Sequence, residues 1–197
     1  WDHNHIHYGT DDPERQWLNI HLAYDQSKPM PIYLFAHGNG GSANLMSEKE
    51  LHAIANEGYA TVSWESIPTI SGADETAIGI ADAQVMFEWV RANADTYNLD
   101  PDLIVVGGRS RGSIISWQLA HSNHPSIKGI YMYNALPQSA WQDVGSWSPV
   151  NEITIDSPTT YLVYGPDFDD DDGHNPVYVE PVIARYEELG IGDNITR

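Results

Sequence analysis

Between residues 103 and 120 the chain reads LIVVGGRSRGSIISWQLA. Four apolar β-formers run into two glycines, and within five residues a helical stretch begins. A buried strand and a helix must therefore meet through Gly108-Arg109-Ser110-Arg111-Gly112. The flanking positions of so tight a turn have to be small, because the two backbones pass close together. Such a joint confines the chain to folds in which helices pack on a sheet.

The remaining pattern repeats this rhythm. Residues 16–24 (QWLNIHLAY) read as a half-buried strand and residues 32–36 (IYLFA) as a fully buried one. Ser42 is placed to cap a helix running to about Asn56, which Glu57-Gly58 stops. Residues 59–64 form the next strand, and residues 75–97 a helix with Ile78, Val85, Met86, Trp89 and Val90 at helical spacing. A short strand over 103–106 precedes a helix over 111–122. Strands over 127–133 and 159–164 and a last helix over 177–189 complete the alternation. Strands and helices in this order imply a mainly parallel sheet with helices on both faces. No repeat or linker divides the chain, so one domain over 1–197 is expected, with a loop excursion at about 135–157.

Composition narrows the function. The 197 residues include no cysteine, which removes disulfide scaffolds, thiolate metal sites and a cysteine nucleophile. Nine Lys+Arg stand against 28 Asp+Glu, a formal charge of −19. Phosphate binding needs clustered basic residues, so nucleic acid and anionic membranes are poor partners and a neutral substrate is expected. No apolar run approaches the roughly 20 residues that span a bilayer. Trp1 in place of an initiator Met reads as a processed or trimmed chain, and the acidity favours a secreted or periplasmic setting. Sequence says nothing about oligomeric state.

The G-x-S-x-G turn has two plain readings besides a catalytic one: an ordinary glycine-bearing turn, or a phosphate-binding loop. The second is disfavoured, because no Lys-Ser/Thr pair follows and the glycine spacing is wrong for a dinucleotide site. In the catalytic reading the turn aims the Ser110 hydroxyl out of the sheet edge. The free amides at the helix N-terminus then lie beside any oxyanion that forms.

A second motif, His37-Gly38-Asn39-Gly40-Gly41, follows the strand over 32–36. With GYATVSW, FEWVRANADTYNLDP, GGRSRGS, PTTYLVYG and RYEELGIG, it makes nearly the whole chain resemble the α/β-hydrolase superfamily. The likeness is strongest to its secreted carboxylesterase, acetylxylan/feruloyl esterase and dienelactone-hydrolase-like branch. The resemblance implies a serine esterase that cleaves short acyl or aryl esters, on polysaccharides among others, through an acyl-enzyme on Ser110, with no cofactor and no catalytic metal. It implies an oxyanion hole built from the backbone amides of Asn39 or Gly40 and of Arg111. It also implies an acid after the strand ending at Gly165. Asp172 is chosen because Asp172-Gly173-His174-Asn175-Pro176 resembles the family's D-x-x-V-P; Asp169 is second.

The resemblance breaks at the base. The family's histidine follows a last strand, and the chain stops at Arg197, so the C-terminal strand and His loop read as incomplete. Three expectations follow: the natural protein continues to a histidine, His174 serves from the acid loop, or the fold is catalytically silent and binds a carbohydrate or a partner. The plain reading of His174 is a solvated loop histidine paired with neighbouring Asp.

Other residues carry lesser expectations. Glu65 after the strand over 59–64 could face the pocket, and Trp64, Trp141 and Trp147 could form an aromatic wall for a sugar or aryl ester, with surface or core packing an equal alternative for each Trp. His3, His5 and His7 would share one face of a strand and could bind metal, although a polar terminal strand is the commoner case. His121 and His124 close the helix after the turn, where cationic character suits its C-terminal dipole. His37 supports its loop by hydrogen bonding. The Asp167–Asp172 run reads as a solvated acidic loop in preference to a calcium site, since it lacks the EF-hand order.

Overall fold

Residues 1–67, 69–70, 72–137, 148–165 and 173–197 are described by a computed structural model. Eight strands form one sheet in the order β1-β2-β4-β3-β5-β6-β7-β8. They are β1 (His3–His7), β2 (Trp17–His21), β3 (Met30–Ala36), β4 (Ala60–Trp64), β5 (Leu99–Ser110), β6 (Ile127–Ala135), β7 (Thr159–Val163) and β8 (Ile195–Thr196). β1/β2 and β2/β4 pair antiparallel; every other pair is parallel. The helices are α1 (Glu48–Asn56), α2 (Ala73–Ala92), α3 (Arg111–Ala120), α4 (Pro149–Glu152) and α5 (Glu180–Glu188).

The parallel register puts Ile32, Leu34 and Ala36 of β3 in line with Ile104, Val106 and Gly108 of β5. These side chains, with Ile130 and Met132 of β6, are buried beneath α3, which packs on β3, β5 and β6 and against α2. α3 can lie so close because it starts where β5 ends, with no connecting loop. On the opposite face Tyr131, Tyr133 and Tyr161 are 44%, 38% and 50% exposed. An apolar groove of about 540 Å³ there is lined by Tyr33, Ile54, Tyr59, Val105, Tyr131 and Tyr161, among others.

Several boundaries differ from the sequence expectation. The helix expected from Ser42 begins at Glu48. Ser47 caps it in a reciprocal box, with its Oγ accepting from the Glu50 amide and the Glu50 carboxylate accepting from the Ser47 amide. The helix expected over 75–97 ends at Ala92, and a 3₁₀ turn, Ala94–Tyr97, follows. β5 is far longer than 103–106, because Leu99 pairs with Met30 and the glycines at 107 and 108 stay in the ladder. The last helix divides into a 3₁₀ turn, Pro176–Val179, and α5, whose Pro181 lacks an N–H and fits only a first turn. His5 has φ 50° and interrupts the β1 register, so the three terminal histidines do not form a regular face. The His5 ring stacks on Trp17.

Candidate active site

At the carboxyl edge of the parallel strands the end of β5 with Ser110, the 37–41 loop after β3 and His174 come together. Ser110 closes β5 with φ 51° and ψ −124°, a strained conformation for a residue with a side chain. Neighbouring groups hold it there. A Cβ on Gly112 would lie 2.2 Å from the Ala36 carbonyl oxygen, and one on Gly108 would lie 2.7 Å from the Gly112 carbonyl carbon. Both glycines of the motif are thus demanded by contact between β3, β5 and α3. Ser113 Oγ donates to the Ser110 carbonyl at 2.5 Å and accepts from the Leu136 amide at 2.7 Å. Ser116 Oγ donates to the Gly107 carbonyl at 2.8 Å.

The Ser110 hydroxyl, part-exposed, lies 2.8 Å from Nε2 of His174. His174 is delivered by the segment between β7 and α5, just after Gly173, whose φ of 77° turns the chain. Asn175 then caps the following turn through the Val177 amide. With Ser110 donating, Nε2 is the unprotonated nitrogen and Nδ1 carries the ring proton. Asp172 and Asp169, with the rest of the acidic run, lie outside the described residues.

Beside Ser110 runs the 37–41 loop. A Cβ on Gly38 would come 3.3 Å from both the Ser110 Cβ and the Arg109 carbonyl oxygen, so the loop rests on the turn. The Gly41 amide donates to the Gly38 carbonyl at 3.0 Å, and Gly40 supplies φ 68° at the third position of this turn. Gly41 has therefore spent its amide, leaving Asn39 and Gly40 as the loop's candidate donors. The Asn39 side chain ties the loop to the backbone of Ile70, accepting from its amide at 3.1 Å and donating to its carbonyl at 3.4 Å. Opposite, Arg111 opens α3, and a helix's first amides have no intrahelical acceptor.

Two residues expected at the pocket, Trp64 and Glu65, are buried. Trp64 is 1% exposed and belongs to the core, because both faces of β4 are covered. Glu65 is buried with its carboxylate occupied: Oε1 lies 2.5 Å from His37 Nε2 and accepts from the Ser66 amide at 3.1 Å, and Oε2 accepts from the Ala43 amide at 3.1 Å. His37 thereby takes the supporting place expected of it, with Nδ1 2.9 Å from the Gly38 carbonyl oxygen and 3.2 Å from Arg111 Nη2. The Arg111 side chain is 1% exposed; burial pulls the guanidinium down to about 10, opposed by the nearby Glu65 charge, and it stays cationic at neutral pH. Trp141 and Trp147 lie outside the described residues. The apolar groove on the far sheet face includes none of the site residues in its lining.

His121 is corrected outright. It is buried at the C-terminus of α3, where its Nδ1–H donates to the Trp117 carbonyl at 2.9 Å, and desolvation pushes it down to about 4. It is a neutral cap and offers no charge to the helix dipole. Among the described residues no group of three or more His, Asp or Glu is placed to hold a metal ion. Nor is any helix among them long and apolar enough to cross a membrane.

A mainly parallel eight-stranded sheet with a strained serine between its central strand and α3 defines an α/β-hydrolase fold. The solved structure of a truncated carbohydrate esterase from gut microbiota shares that fold. Its TM-score is 0.72 at 19% identity, with 95% of this chain and 83% of that chain covered. A sequence model of the BD-FAE family matches residues 18–142, and the chain belongs to that family. Over 125 residues it is 25% identical to a chlorogenic acid esterase of Aspergillus niger, covering 57% of this chain and 24% of that protein. It is 29% identical over 98 residues to secreted lipase 4 of Gibberella zeae, covering 44% of this chain and 18% of that one. The chain thus spans a quarter or less of the length of these relatives.

Proposed function

We propose that the protein is a serine esterase in which Ser110 is the nucleophile and His174 the general base. The observation that carries this reading is the 2.8 Å separation of Ser110 Oγ and His174 Nε2 at the carboxyl edge of a parallel sheet. Ser110 Oγ attacks the ester carbonyl carbon as its proton passes to Nε2. The carbonyl π pair becomes an oxyanion, received by the Arg111 amide and by Asn39 or Gly40. Collapse expels the alcohol, which takes the proton back from Nε2–H. A water deprotonated by the same nitrogen then cleaves the acyl-Ser110 ester and releases the acid. Asp172 is proposed to orient His174 through Nδ1–H. The chemistry as written calls on no cofactor.

The names of the relatives favour aryl or sugar-borne carboxylic esters as substrates. Export is part of the proposal, supported by the secreted lipase among the relatives and by the charge of −19. Hydrolysis of p-nitrophenyl acetate by the 197-residue chain, Ser110→Ala and His174→Ala tests the mechanism. Both substitutions should lower kcat by at least about 10³-fold. Equal rates for all three proteins would reject catalysis at this site and leave a binding protein. A loss confined to Ser110→Ala would remove His174 from the mechanism.

A further inference from the structure

We propose that Glu65 and the Arg111 side chain are positioning residues that hold the two halves of the oxyanion cradle in register. The inference rests on the esterase reading above and extends it to groups that touch neither substrate nor nucleophile.

One carboxylate pins the 37–43 loop at both ends: Glu65 Oε1 takes the His37 imidazole and Oε2 the Ala43 amide. Glu65 is itself anchored through its backbone, its amide donating to the Trp17 carbonyl at 2.8 Å and its carbonyl accepting from the Tyr8 hydroxyl at 2.6 Å. The loop between the pinned ends carries the Asn39 and Gly40 amides. His37 Nδ1 lies 3.2 Å from Arg111 Nη2 and 2.9 Å from the Gly38 carbonyl oxygen, so the ring sits between the guanidinium, the loop backbone and the carboxylate. Arg111 therefore acts twice. Its backbone amide opens α3 next to Ser110, and its guanidinium holds the loop that brings the opposing amide. Cation, imidazole and carboxylate thus stand in one contiguous polar cluster, at 1%, 2% and 8% exposure, where polar contacts are strong and rigid. Oxyanion stabilisation depends on donors fixed before charge develops, and a donor misplaced by about 1 Å can cost on the order of a hundredfold in rate. The contribution should appear in kcat, since the ground-state ester does not call on the cradle fully.

The test uses the full chain with Glu65→Gln, Arg111→Met and Arg111→Lys, and with Tyr186→Phe as a stability control. Tyr186 is buried on α5 and hydrogen-bonded at 2.9 Å to Thr160 of β7, three strands across the sheet from β3 and its loop. Glu65→Gln keeps the shape but turns an NH₂ toward a donor. It should lower kcat for p-nitrophenyl acetate about tenfold to a hundredfold with KM within about twofold. Arg111→Met should do the same, and Arg111→Lys should recover part of the loss, because an ammonium keeps a buried cation beside His37 and the Glu65 charge. Tyr186→Phe should lower the melting temperature without this kcat loss. Hydrogen exchange of the 37–43 amides should quicken about tenfold in Glu65→Gln and Arg111→Met, with or without turnover. Unchanged kcat and unchanged exchange in both variants would overturn the inference, as would a loss carried by KM or matched by Tyr186→Phe. Should Glu65→Gln not fold, the Arg111 pair decides by the same criteria. Wild type no faster than Ser110→Ala would overturn the esterase reading instead, and exchange alone would then decide the pinning.

Discussion

An ideal Cβ on Gly112 would lie 2.2 Å from the Ala36 carbonyl oxygen and 2.4 Å from that of His37, both backbone atoms of β3 and its exit. Neither can withdraw without opening the parallel ladder. Gly112→Ala should therefore cost at least about 3 kcal/mol in urea unfolding, a loss expected of forced overpacking against backbone. A cost under about 1 kcal/mol would show that the turn is looser than described. Gly40 poses the other case: a Cβ there meets nothing within 4 Å, and only its φ of 68° resists substitution. The contrast explains what sequence could reveal of the site. The glycines flanking Ser110 are local signals, legible within five residues. The support beneath them is not, because Glu65 and Arg111 are 28 and 74 residues from His37 in the chain and meet it only after folding. The Arg111 side chain is a prop by virtue of its burial, which nothing in the motif encodes. His174, a loop histidine on its face, is drawn to Ser110 by the segment that turns at Gly173.

At the scale of single elements, α3 links stability to pH. Its C-cap, His121, is 8% exposed and held neutral, with its pKa lowered by desolvation from 6.5 to about 4 and the Trp117 carbonyl only partly offsetting that. Because the folded value lies below the unfolded one, the unfolded chain binds the extra proton between these limits. Stability is unaffected above about pH 6.5, falls as pH drops toward 4, and levels off for this group below that. The full shift corresponds to roughly 3 kcal/mol. Comparing wild type with His121→Leu by denaturant unfolding from pH 7 to pH 4 isolates the effect. The variant should lose less stability over that window, and parallel curves would show that His121 is hydrated in the folded protein. Element boundaries were the least legible feature of the sequence, and α1 shows why. Ser42 and Ser47 are both acceptable caps by residue type, but only Ser47 has a glutamate three residues on that can return the hydrogen bond. Residues 42–46 are instead spent on the oxyanion-side loop, where Ala43 gives its amide to Glu65.

Across the whole molecule, alternating apolar strands and amphipathic helices specified a parallel sheet because the near-continuous buried runs of β3 and β4 need cover on both faces. The strand order was less accessible, since β4 precedes β3 across the sheet only through a crossover. Charge acts at this scale too. With 28 acidic and nine basic side chains, most carboxylates have no cation to pair with one-to-one. The ion pairs that do form include local ones such as Arg91–Glu88 and Arg185–Glu188, three residues apart on one helix and largely solvent-facing, which contribute little. Compaction therefore crowds like charges, and the repulsion extends over roughly 30 Å at 10 mM salt but only about 3 Å at 1 M. Raising NaCl from 20 mM to 0.5 M should lift the melting temperature by about 3 °C, the change that roughly 1 kcal/mol produces in a domain of this size. Choline chloride should give the same rise, because screening depends on ionic strength and is indifferent to the cation. A flat or falling melting temperature would mean that the acidic groups are spaced widely enough to ignore one another. A rise with NaCl alone would point to a bound sodium ion in place of screening.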